Sequence, residues 1–133
     1  MGPLARRARR LRDGLTAKGR RGYRTSQGFL FYGDPGIDSS RGASGELERF
    51  VAALSEVELV VDVGANAGFF TALAAQACKP VIAIEPHPLN LQALYRCLLE
   101  NGLDAEIFPL ALSARPGIVQ LFGGGQGASL LEG

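Results

Sequence analysis

The sequence predicts an α/β fold built on a parallel sheet, and three observations carry that reading. Short, strongly apolar runs at residues 59–63, 81–84 and 105–110 alternate with helical stretches at 67–78 and 89–100. The links between them are short, as in strand-helix-strand units with right-handed crossovers. With 133 residues, 47% of them apolar, the chain has material for one domain with a real core and too little for two.

Taken in order, residues 1–27 hold nine Lys/Arg against Asp13 alone, a net of +8, while residues 28–133 hold five against twelve Asp/Glu, a net of −7. The basic part reads as a flexible, solvated tail. A weak membrane-surface patch, a nucleic-acid patch or an organellar leader are its other readings, and no nucleic-acid partner is expected because no aromatics interleave the arginines. A lead-in follows at residues 28–56: an aromatic strand at 28–37 ending in a turn, then a helix capped by Ser44. Glu46 and Glu48 suit its first turn, and Leu47, Phe50, Val51 and Leu54 form one apolar face. Residues 57–133 hold the strand-helix alternation.

Residues 59–63 form a run of the kind buried on both faces of a parallel sheet. The 67–78 helix is apolar nearly all round and stops at Lys79-Pro80, and the 89–100 helix is amphipathic and ends at Asn101-Gly102. After Pro116-Gly117, residues 118–122 read as part of an added β-hairpin arm. No apolar run approaches the ~18 residues of a membrane span. Cys78 and Cys97 both fall in helices as small buried hydrophobes, which points to a reducing cytoplasm. One histidine, His87, leaves no zinc constellation, so no metal is expected.

The informative segment is Val60-Val61-Asp62-Val63-Gly64-Ala65-Asn66-Ala67-Gly68-Phe69, between a strand and a helix. Ligands of α/β sheets bind at that end of the strands. Gly64 and Gly68 allow a sharp turn and close ligand approach, and the helix that follows offers unpaired N–H groups to an anion. Asp62 suits a cationic group. Glu85 ends the next strand, 23 residues on, where a carboxylate accepts from ribose hydroxyls. Set against these roles, Asp62 reads as a helix cap, Glu85 as an exposed strand-end charge, Asn66 as a cap and His87 as a loop residue. The turn has one glycine fewer than a dinucleotide fingerprint. That favours an amino-acid group joined to an adenosine, as in S-adenosylmethionine.

The run Asp62-Val63-Gly64-Ala65-Asn66-Ala67-Gly68-Phe69-Phe70 resembles the first motif of class I S-adenosylmethionine-dependent methyltransferases, and its Gly-Ala-Asn form is similar to that of the FkbM family. Ile84-Glu85-Pro86-His87-Pro88 resembles that family's second motif. Glu100-Asn101-Gly102-Leu103, Leu110-Ala111-Leu112-Ser113, Pro116-Gly117 and Gly127-Ala128-Ser129-Leu130 follow in the family's order. The resemblance spans residues 45–131 and implies a Rossmann-like class I methyltransferase fold, truncated after its third strand and carrying the hairpin arm. It implies that Asp62, Gly64, Ala65, Asn66 and Gly68 cradle the methionine part of S-adenosylmethionine. Glu85 would hold the ribose, Pro86 and His87 would flank the adenosine, and Ala111 would lie near the adenine.

Family members are mostly O-methyltransferases of small molecules, sugars or lipids, so a small-molecule, sugar or lipid acceptor is implied. The family's fourth strand, with its Lys-Ile-Asp-x-Glu-Gly pattern, has no counterpart here, and no catalytic base is nominated. Without that strand, residues 59–63 become an exposed apolar edge, open to an oligomer or a partner chain. The rival readings are a non-catalytic cofactor-binding remnant, or a subunit completed by a partner, and then a nicotinamide-dependent oxidoreductase.

Overall fold

The computed structural model describes residues 21–38 and 44–122. Two short strands open it: β1 (Tyr23–Arg24) and β2 (Leu30–Phe31) form an antiparallel pair. Helix α1 (Glu46–Leu54) follows, then β3 (Val60–Val63), α2 (Phe69–Gln76), β4 (Val81–Ile84), α3 (Pro88–Asn101) and β5 (Glu106–Phe108). Strands β3, β4 and β5 form a parallel sheet in that order, with Val61 beside Ile82 and Ile84 beside Phe108. The α/β class and the parallel sheet are therefore present, and β3 is an edge strand among the described residues.

One face of this sheet is covered. Ala83 packs with Leu94 and Leu98 of α3, and Val81 packs with Ala74 of α2 and Leu54 of α1. The other face is open: Val61 and Val63 are 52% and 57% exposed, and Phe108, on β5 across Ile84 from Val63, is exposed as well. The expectation that β3 is buried on both faces is thus corrected. Its apolar character suits a two-sided site, but only the helical side is filled.

A second core lies on the far side of the helices. Phe29, Phe31 and Tyr32 pack there against Leu47, Phe69, Leu73 and Cys97. Phe31 meets Phe69 edge-on at 5.5 Å between centroids, a favoured aromatic geometry. Asn101 does more than end α3. Its side chain accepts from the Leu30 N–H at 2.8 Å and donates to the Leu30 carbonyl at 2.7 Å, serving as a strand partner for β2. Arg96 lies 4.1 Å over the Tyr32 ring, and the Tyr32 hydroxyl donates to Glu100. That hydroxyl, with Arg96, holds the Glu100 carboxyl below its ordinary range.

Several local expectations are corrected. The aromatic strand over 28–37 shrinks to Leu30–Phe31, because Asp34 turns the chain by accepting from Gly36 and Ile37. Pairing reaches back into the basic segment, to Tyr23. Gly45 takes the N-cap position of α1, and Ser44 serves the helix start from one residue earlier, its hydroxyl accepting from the Glu46 N–H at 3.3 Å, while Val51 of the expected apolar face is 47% exposed. Cys78 is exposed, not buried: it follows the end of α2 with φ 59°, a left-handed position usually taken by glycine. No strand forms over residues 118–121, Phe122 makes only an isolated bridge, and Ile118 is fully exposed. The hairpin arm is therefore not formed among the described residues. Residues 1–20 of the tail and the 127–130 motif lie outside them. No described helix is long and apolar enough to cross a membrane.

Candidate functional site

The glycine turn after β3 wraps over the end of β4. The Gly64 and Ala65 N–H groups both donate to the Ile84 carbonyl, at 2.8 and 3.1 Å. The chain then takes left-handed conformations at Gly64 (φ 75°), Asn66 (φ 53°) and Gly68 (φ 87°) before α2 begins. Asn66 tolerates that region because its amide reaches the Gly64 carbonyl at 3.1 Å.

Glu85 lies where this turn meets the end of β4. It is 3% exposed. Its Oε2 accepts from the Asn66 N–H at 2.8 Å, and its Oε1 accepts from the His87 N–H at 2.8 Å and the Asn90 amide at 3.2 Å. The Glu85 N–H donates to the Phe108 carbonyl, which brings the end of β5 to the same place. Asp62, half-buried on β3, accepts from the Thr71 hydroxyl of α2 at 2.6 Å, and Thr71 is fully buried.

The two bland readings of the carboxylates fail on this geometry. Asp62 does not cap α2, whose N-cap is Gly68 with no side-chain cap bond. Glu85 is buried rather than exposed. Asn66 is not a cap either, whereas His87 caps α3, its Nδ1 accepting from the Leu89 N–H at 3.2 Å.

Asp62, Gly64, Asn66, Glu85, Pro86 and His87 all belong to one end of the sheet, the carboxyl ends of β3 and β4. The two glycines divide their labour. A Cβ on Gly64 would meet nothing within 4 Å, so its backbone is open to a ligand, while a Cβ on Gly68 would lie 2.3 Å from Leu94 Cδ1. Gly68 therefore serves the contact between α2 and α3. Ala65 is 5% exposed and packs into the core with Ala83 and Leu94. Ala111 is half-buried, three residues past the end of β5.

Thr71 and Asn90 were missed by the sequence reading. Thr71 had a visible signal, as the one hydroxyl in a helical run whose only other polar side chain is Gln76 at its end. Asn90 carried none that distinguishes it from an ordinary first-turn polar residue. A cleft of about 260 Å3 bounded by Leu59, Val81, Ile82 and Glu106 lies at the opposite, amino end of the strands, away from these groups. Among the described residues no cluster of three or more His, Cys, Asp or Glu has the makings of a metal centre. Compared with known proteins, the chain matches no family model, and no curated protein matches it at a significant level.

Proposed function

We propose that this chain binds S-adenosylmethionine and belongs to an S-adenosylmethionine-dependent methyltransferase, acting on a hydroxyl of a small molecule, sugar or lipid. The observation that carries the reading is the union of the glycine turn and the strand-end carboxylate. Glu85 is buried and bonded to the Asn66 amide within the turn itself. A buried carboxylate at a strand's carboxyl end is costly unless paired, and it serves ligand binding at this end of an α/β sheet.

The residues present fit that cofactor. The backbone at Gly64 has open space above it. Asp62 offers negative charge to an ammonium group, and a helix start such as that of α2 suits an anionic one. Glu85 retains about one of the four lone-pair positions of a carboxylate, on Oε2, for a ligand hydroxyl. When bound, S-adenosylmethionine supplies an electrophilic methyl group on a positively charged sulfur. Transfer to an oxygen then asks the protein chiefly for orientation.

A second reading, a cofactor-binding subunit completed by another chain, draws on the open sheet face at Val61 and Val63. Calorimetry with S-adenosylhomocysteine, in competition with NAD, tests the cofactor assignment. Binding of the first and none of the second is expected. Asp62→Ala and Glu85→Gln should each weaken it about 10-fold or more, as loss of a charged hydrogen-bond partner does. Unchanged affinity in both variants overturns the site.

A further inference from the structure

Asn90 joins three segments that the motif reading treats separately. It is the third residue of α3 and is 6% exposed. From there its side-chain amide donates to Glu85 Oε1 at 3.2 Å and to Asn66 Oδ1 at 3.1 Å. The Asn66 N–H in turn donates to Glu85 Oε2. The three residues thus close a ring, through two side-chain bonds and the Asn66 backbone N–H, linking the turn after β3, the end of β4 and the first turn of α3. Each member fixes another: Asn90 limits the Glu85 rotamer, and it anchors the side chain of Asn66, whose backbone holds the left-handed turn.

We propose that Asn90 is a positioning residue of the cofactor site. Its amide orients Glu85 so that the remaining acceptor position on Oε2 faces a ribose hydroxyl. This rests on the S-adenosylmethionine reading above. A buried polar group tied into a satisfied network holds one geometry, and that rigidity is what a preorganised binding site requires.

The test compares S-adenosylhomocysteine with its 2′,3′-dideoxy analogue on the full chain. Asn90→Ala should weaken S-adenosylhomocysteine about 10-fold and leave the analogue within about twofold, since the analogue has no hydroxyl for Glu85 to receive. A merely structural role weakens both alike, and that result overturns the proposal. Asn90→Asp has the same shape but sets a carboxylate against Glu85, so it should weaken binding at least as much. Wild-type affinity in that variant also overturns it, and it replaces the alanine variant if the latter fails to fold.

A separate measurement needs no ligand. The backbone amide resonances of Asn66 and His87, both donors to Glu85, should shift in either Asn90 variant. If they stay in place, Asn90 does not position Glu85. If the wild-type chain does not bind S-adenosylhomocysteine, the proposed function fails, and these resonances still decide the positioning.

Discussion

Gly64 and Gly68 occupy one turn and share the left-handed region, yet a methyl group added at each meets different obstacles. At Gly64 the cost is the backbone alone, about 1–2 kcal/mol for a residue with a Cβ in that region. At Gly68 the new Cβ also collides with Leu94, and overpacking adds about 1–3 kcal/mol more. Urea denaturation should therefore find Gly68→Ala destabilised by roughly 2–5 kcal/mol and Gly64→Ala by clearly less. Gly64→Ala should in turn show the larger loss of S-adenosylhomocysteine binding relative to its stability change. Equal stability losses would mean that α3 shifts to accommodate Gly68→Ala. Asp62, the glycines and Glu85 were legible in the sequence because their spacing follows the strand-turn-helix geometry. The partners of Thr71 and Asn90 were not, since a contact across 9 or 24 residues depends on how α2 and α3 pack.

The junction of β2 with α3 sets how the opening strands are held. Asn101 brackets Leu30, and the Cys97 thiol, fully buried, donates to the Leu30 carbonyl at 3.3 Å. Burial pushes that thiol up to about 12, with the Asn101 amide acting in the opposite direction. The sign follows from linkage. The folded state keeps the proton that the unfolded thiol loses from about pH 9, so the stabilisation is complete below that and declines as pH rises toward 12. Tyr23, raised to about 12 by burial and by Asp38 and Asp34, declines in the same sense, but from about pH 10. The urea midpoint should hence fall between pH 8.5 and 10, and Cys97→Ala should flatten that fall. An equal fall in the variant would assign it to another group. The helices and β3 to β5 were readable from periodicity and apolar runs. The two-residue strands were not, because Tyr23 and Arg24 become a strand only by pairing with β2.

At the scale of the molecule, the helices cover one face of the sheet and leave the other open. Strand β3 lies at the sheet edge among the described residues, but which of its side chains are exposed was not legible in the sequence. That depends on register, which sets Val61 beside Ile82 and Val63 beside Ile84 on the open face. The N–H groups of Val60 and Gly64 turn toward β4, so by strand alternation those of Val61 and Val63 face outward along the edge. An edge that is apolar and, among the described residues, unpaired is a template for another strand. The wild-type chain should therefore self-associate with rising concentration in sedimentation velocity. A Val61→Lys, Val63→Lys double variant should shift the population toward monomer, because a charged edge opposes pairing. Both positions are about half-exposed, so the thermal midpoint should change little, in line with the roughly ±0.5 kcal/mol of surface substitutions. Identical sedimentation of the two proteins would exclude this edge as the route of association. A large loss of stability in the variant would mean instead that the open face is already covered within the folded chain.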